Sequence, residues 1–531
     1  MPNSHYIDLA VVAAYLVTIT VVGIWIGRKH SKSQEGYFLG NRQFGWVMVG
    51  FSLFATNISM AFFVGGTGKA YKVGIAALTP ELLGGLGMTV SALLFIPIYL
   101  RSSITTLPQF LGKRFNKWAK VFYGGVFIVF TILTSPLTMY TGSLAILSLF
   151  QFEITPANIY LASAVIACTV GLYSVLGGLT AVVITDAAQV VIMIFGGLLV
   201  AIMGIFALGG FSEFWSAIPA SKLELLLPHD DPEFPWSAMM TGQLMASFFF
   251  AFANITMLQR VLGARSLEHA QKGMLLGAGL KMSGLVLFIL PGLIAAQLFP
   301  EIHPDTAFTT LTRELLPVGL SGLVLAGMIA AMMSTQDSGI NTLASIVSID
   351  IYPTFSKKAD PQKGILIGKS IAVCNIIWGV AMAPIFLTVQ QGIFDLMLKF
   401  GGFIMMPTGL CFVLGRFWSR GTSKACLATL STGLLLGVYY NLSSSLPAFS
   451  SLLPEALGQM HYYHVLPLFA ALLALIFIVI SLLDQAPTKE QLEFLKENTP
   501  ERPASPKPWH RSFGFWWTLY LVAFIALYLY F

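Results

Sequence analysis

Residues 51–60 read FSLFATNISM and lie inside an apolar run from about Phe44 to Gly68 that is long enough to cross a bilayer. Thr56, Asn57 and Ser59 nevertheless fall near the centre of that run. A hydroxyl or amide without a partner is costly in hydrocarbon, so these groups must face something other than lipid. Gly65, Gly66 and Gly68 follow closely and permit irregular backbone. The stretch therefore reads as a membrane span with a polar interruption, and the fold turns on what meets it.

The rest of the chain supports a membrane setting. Of 531 residues, 56% are hydrophobic and only 10% charged, with mean hydropathy +0.77. A soluble domain carries about a quarter charged residues, so the chain reads as an all-α polytopic membrane protein. Cys168, Cys374, Cys411 and Cys426 stand apart, without zinc or disulfide spacing. Lys and Arg follow the first apolar run rather than precede it, so no signal peptide is expected.

A span needs roughly 20 apolar residues. Fourteen stretches qualify, centred near residues 16, 57, 88, 134, 166, 194, 248, 286, 331, 376, 405, 433, 473 and 522. They are numbered helix 0 to helix 13. With the N-terminus outside, the cytoplasmic loops 27–43, 101–120, 176–179, 259–275, 350–369, 416–424 and 484–513 hold 24 of the 30 Lys and Arg. That bias is the positive-inside rule, and it puts both termini outside, in a plasma (inner) membrane. External loop 209–237 is acidic, with Glu213, Glu224, Asp230, Asp231 and Glu233; its Trp215 and Trp236 suit either a lid or an interfacial anchor. Loop 484–513 mixes charges and prolines, as a solvated linker or a regulatory segment would.

Ionisable residues inside spans are functional candidates by default. They are Glu81 in helix 2, Asp186 in helix 5, Lys281 in helix 7, Asp337 in helix 8, and Asp395 with Lys399 in helix 10. The last two are four apart and could pair with each other. Arg260 and Asp350 sit near span ends, where a charge is expected to reach the interface, the long Arg by snorkelling. Helix 8 holds a second polar cluster, AAMMSTQDSGIN at 330–341. Ser334, Ser338 and Asn341 share a helical face, with Thr335 beside it.

Hard cations take carbonyl, hydroxyl and carboxylate oxygens. Ser334 and Thr335 could supply hydroxyls, and an unwound helix 1 near Ala55 to Ile58 could supply carbonyls, to one sodium ion. Hydrogen bonding between helices explains the same residues equally well. Asp186, with Asp337 and Ser338 opposite, suits either a second sodium site or an Asp–hydroxyl contact. Glu81 and Lys281 suit either a shared polar cavity for a neutral polyhydroxylated solute or a buried ion pair. The eight histidines lie in loops, termini or span edges without catalytic partners, and no phosphate-binding loop of the Walker type is present, so neither an enzyme nor an ATP-driven pump is expected.

Five stretches carry a family resemblance: YFLGNRQFGWVMVGFSLFATNIS (37–59), TTLPQFLGKRFN (105–116), YSVLGGLTAVVITDAAQ (173–189), NITMLQRVLGARSLEHAQKG (254–273) and MMSTQDSGINTLASIVSIDIY (332–352). They resemble the sodium/solute symporter family, and within it the bacterial relatives of the sodium–glucose cotransporters, from about residue 6 to residue 440. The resemblance implies a leucine-transporter-type fold in which helices 1–5 and 6–10 form two inverted repeats, with helices 1 and 6 broken. The implied divisions are an extra helix 0 at 1–26, repeats at 44–208 and 238–416, and helices 11–13 at 424–531.

It also implies a sodium site made by the carbonyls of Ala55, Ile58 and Ala331 and the hydroxyls of Ser334 and Thr335. The second sodium site of some members maps to Asp186, Asp337 and Ser338. Glu81 and Lys281 match sugar-binding residues, and Asn57 and Ser59 match pocket positions. The chain departs from the sugar carriers at five others. Phe62 and Leu398 each replace a Gln, Ser247 an Asn, Phe250 the inner-gate Tyr and Gly84 a Ser. Thr134 stands where sialic acid carriers have Arg, which disfavours an acidic sugar held in that way. The expected function is sodium-coupled import of a small polar solute, a sugar or polyol. An amino acid or monocarboxylate, or a sensor that has lost transport, are the alternatives. The expected partners are the solute, Na+ and the bilayer, with no nucleic acid.

Overall fold

The computed structural model describes residues 4–30, 33–388, 393–445, 449, 451, 453–497 and 512–531, and every regular element among them is helical. Helix 0 is Ser4–His30. Helix 1 runs Trp46–Asn57, stops, and resumes through a π-helical turn at Phe62–Gly66 into Thr67–Val73. Helix 2 is Thr79–Leu94 and helix 3 is Lys117–Leu149. Helices 4 and 5 form one 52-residue element, Pro156–Ala207, bent at Gly178. Helix 6 is the pair Trp236–Ala253 and Ile255–Leu262, bent by 42°. Helices 7, 8 and 9 are Leu267–Leu298, Leu320–Phe355 and Pro361–Thr388. Helices 10 to 13 are Ile393–Phe417, Ser423–Ser445, Tyr462–Leu483 and Phe513–Tyr530.

Ten helices among the described residues are long and apolar enough to cross a membrane, or eleven with the bent pair taken as one span, against fourteen expected. The difference comes from how the elements join. The second half of helix 1 runs on into helix 2 as Phe62–Leu94, helices 4 and 5 meet at the Gly178 kink with no loop between them, and the apolar part of helix 10, Gly401–Phe417, is short. A straight 52-residue helix would measure about 78 Å, against a hydrocarbon core of about 30 Å. The Gly178 bend (φ 61°, ψ −164°) is what lets this element fit. A Cβ there would lie 2.6 Å from the Tyr37 carbonyl oxygen, so the position needs glycine twice over.

Local chemistry sets the ends. Asn116, Thr155, Ser266, Asp360 and Ser512 each accept an amide hydrogen bond in the first turn of a helix, at the starts of helices 3, 4, 7, 9 and 13. The first half of helix 1 lies between helix 7 and the helix 4–5 element, which also packs along helix 8 and helix 0. Helix 6 packs on helices 2 and 10. Large apolar side chains such as Leu161, Ile377 and Leu472 face outward, as a lipid-facing surface requires.

Two loops carry defined contacts. Within 484–513 the described part is partly structured. Lys489–Glu497 is a short helix docked on Pro108–Arg114, with Phe494 edge-on to Phe110 at 5.7 Å. Residues 498–511 lie outside the described residues. Beside it, Arg114 is fully buried and donates to the carbonyls of Gly415, Trp418 and Ser419 at the end of helix 10. Loop 209–237 packs onto the second half of helix 1. Glu233 pairs with the buried Lys69, and Asp231 accepts the Glu233 and Phe234 amides.

Candidate functional site

The interruption in FATNIS is real. Helix 1 ends at Asn57, and Ile58 is extended at φ −87°, ψ 90°. A helix end leaves its last carbonyls without intrahelical amides. Helix 6 breaks in the same way at Asn254 (φ −88°, ψ 113°), whose side chain accepts the Met257 amide at 2.9 Å and restarts the helix.

A cavity of about 240 Å³ lies beside both breaks. Helix 1 contributes Asn57, Ser59 and Phe62; helix 2 contributes Glu81 and Gly84; helix 6 contributes Ser247 and Phe250. Lys281 of helix 7 and Leu398 of helix 10 close the space. All nine expected solute residues thus border one cavity. Lys281 Nζ donates to Glu81 Oε2 at 2.6 Å, with both side chains nearly inaccessible to solvent. The two readings of this pair are therefore compatible, since it is a buried ion pair that forms part of a cavity wall.

The helix 8 cluster meets the break. Thr56 Oγ1 and Ser338 Oγ are 3.0 Å apart. Thr335 borders the cavity and donates to the Ala331 carbonyl at 3.1 Å. Ser334 is fully buried and faces Asp186. Hydroxyls of helix 8 and the freed carbonyls at the end of helix 1 are the kinds of oxygen a sodium ion takes. The donor set at Ala55, Ile58, Ala331, Ser334 and Thr335 therefore fits that ion in kind.

The carboxylates form a third cluster. Asp186 Oδ2 accepts from Ser52 at 2.5 Å, tying helix 5 to helix 1, and Ser334 of helix 8 also faces this carboxylate. Asp337 accepts from Tyr173 at 2.5 Å and from Ser338 at 3.3 Å. Arg260 corrects the sequence reading. It does not snorkel to an interface but is 1% exposed, donates to Ser338 at 2.7 Å, and acts electrostatically on both Asp186 and Asp337. Asp350 is likewise fully buried and accepts from Thr106 at 2.9 Å. Both lie beyond the point where a span was expected to end, yet packing buries them. The Asp395 side chain lies outside the described residues, and Lys399 donates to Ser444 at 2.6 Å.

Sequence reasoning missed the helix 3 wall. Thr131, Thr134, Thr138 and Thr141 all border the cavity. Their spacing of three, four and three residues is a one-face helical pattern that could have flagged them.

A match to the sodium:solute symporter family spans residues 37–437. The chain belongs to the sodium:solute symporter family. Curated relatives of this symporter include the sodium/myo-inositol cotransporter 2 of Oryctolagus cuniculus, 28% identical over 547 residues, covering 94% of this chain and 80% of that one. The Homo sapiens sodium/myo-inositol cotransporter is 29% identical over 542 residues, covering 91% and 74%. Among solved structures, a Na+-coupled sialic acid symporter in a substrate-bound outward-open state matches at TM-score 0.77 and 21% identity, over 90% of this chain and 98% of that one. A nucleobase-cation-symport-1 family transporter in a closed conformation matches at TM-score 0.53 and 13% identity, over 87% and 98%. The symporter thus shares the fold of these leucine-transporter-like carriers, and its relatives are transporters rather than enzymes. Family membership supports sodium as the coupling ion.

Proposed function

We propose that this symporter couples sodium entry to uptake of a small neutral polyhydroxylated solute, a sugar or polyol, by alternating access. The observation that carries the reading is the double role of the helix 1 break. Thr56, Asn57 and Ser59 border the cavity, and Thr56 also touches Ser338 of the helix 8 cluster. An ion held by Ala55, Ile58, Ala331, Ser334 and Thr335 would order the same segment that lines the solute pocket. Ion binding and solute binding then favour the same conformation. The cluster of Asp186, Asp337 and Ser338 is the proposed place of a second sodium ion. Its two carboxylates face one guanidinium, so one further positive charge would balance it. The names of the myo-inositol cotransporters support a cyclic polyol as the first solute to try.

The architecture that goes with this reading has fourteen spans, both termini outside an inner membrane, and inverted repeats at 44–208 and 238–416. The matching breaks at Ile58 and Asn254 support the repeats. A less polar solute is the second reading, favoured by Phe62, Met88, Leu398 and Met405 on the cavity wall. Uptake of labelled myo-inositol into proteoliposomes under a sodium gradient tests the proposal, with amino acids and monocarboxylates as competitors. Uptake that ignores the sodium gradient would overturn it. Changing Ser334 and Thr335 together to Ala should raise the half-saturating sodium concentration at least tenfold, and an unchanged sodium dependence would remove these ligands.

A further inference from the structure

We propose that the cavity selects its solute through the solute's own hydrogen-bond donors, with the threonine face of helix 3 as the specificity-determining wall. This rests on the sodium–polyol reading above and narrows it to neutral, donor-rich rings, excluding carboxylates.

A threonine hydroxyl has one proton and two lone pairs. Thr131 donates to the Phe127 carbonyl at 2.9 Å and Thr134 to the Phe130 carbonyl at 2.9 Å. Thr138 donates to the Thr134 carbonyl at 3.1 Å and Thr141 to the Thr138 carbonyl at 2.9 Å. All four protons are committed to the backbone of helix 3 itself, so what these residues can offer the cavity is lone pairs. Four such oxygens, spread over the eleven residues 131–141, make a rail of acceptors about 15 Å long.

The amides of the other walls each commit one of their two N–H donors within the protein. Gln336 donates to Ser135 at 2.7 Å, Asn57 to the Leu53 carbonyl at 2.8 Å, and Gln243 to Ser247 at 2.9 Å. The Gln243 carbonyl oxygen is left buried and without a partner among the described residues, an acceptor waiting for a donor. The charged residues of the lining are Glu81 and Lys281, already bonded to each other. An incoming carboxylate would place a second buried anion against one ammonium, leaving a net negative charge uncompensated. A polyol hydroxyl supplies the missing proton and asks for no charge.

The test is competition against sodium-driven uptake of tritiated myo-inositol in proteoliposomes. Unlabelled myo-inositol is compared with its positional monodeoxy-monofluoro isomers, which keep the size and lose one donor, and with glucuronate, a ring acid. At least one fluorinated isomer should compete about 3- to 10-fold more weakly than myo-inositol, the worth of one net hydrogen bond. Glucuronate should compete at least 10-fold more weakly. Among Thr131→Val, Thr134→Val, Thr138→Val and Thr141→Val, one should abolish the fluorination penalty, because the acceptor it reports on is gone. The matching Thr→Ser change should restore the penalty. If uptake is sodium-driven but every fluorinated isomer, or glucuronate, competes like myo-inositol, this inference fails and the transport reading stands. The analogue series on the unaltered protein decides this even if a valine variant does not fold. If uptake does not depend on sodium, the transport reading fails and takes this inference with it.

Discussion

Arg260 shows how far position along a span can mislead. It lies six residues past the helix 6 break and was expected at an interface, yet packing buries it against Ser338 and within the field of two carboxylates. Removing one member of a buried charge cluster leaves the others uncompensated, at a cost of about 3–5 kcal/mol. Arg260→Met should lower the melting temperature in detergent steeply, and adding Asp337→Asn should recover part of the loss; additive effects would show that the two do not interact. Lys281→Ala should weaken solute competition while sodium alone still stabilises the protein. A collapse in thermal stability would instead make the Glu81 pair purely structural. Glu81, Lys281 and Asp186 could be found in sequence because an ionisable group in hydrocarbon is rare. The threonines of helix 3 signal only by their one-face spacing, because a hydroxyl that bonds its own helix costs little anywhere in a span.

Elements were legible where chemistry interrupts hydrophobicity. FATNIS marked a break because three polar groups sit where lipid would otherwise lie. The break at Asn254 looks in sequence like a single polar residue, and only its cap on the Met257 amide explains it. Asn254→Ala removes that cap and should cost about 1 kcal/mol, read as a lower melting temperature. The helix 4–5 junction reads in sequence as the short loop 176–179. The structure places a kink there, with Gly178 non-helical and the two helices meeting directly across it. Gly178→Ala would force a left-handed φ on a side chain and press it against Tyr37, so a loss of stability above 1 kcal/mol is expected. The docked helix Lys489–Glu497 was hidden because its apolar contacts, such as Phe494 on Phe110, pair segments far apart in the chain.

At the scale of the molecule, the driving force sets what coupling can achieve. One charge crossing about 100 mV releases about 2.3 kcal/mol. A tenfold sodium gradient adds about 1.4 kcal/mol. One ion per solute then supports accumulation of about 500-fold, and two ions about the square of that. Measuring the limiting ratio in vesicles held at a known potential counts the ions, and a ratio well above about 500-fold requires the second. The basic loops gave the expected orientation, whereas helix lengths alone could not give the span count, since neighbouring crossings join end to end. One contact bears on the moving parts. Lys69, near the far tip of helix 1, is leashed to Glu233 on the acidic loop between helices 5 and 6. Any swing of that tip must either drag the loop along or part a sheltered ammonium from its carboxylate, so the loop works as a counterweight on the stroke of the machine.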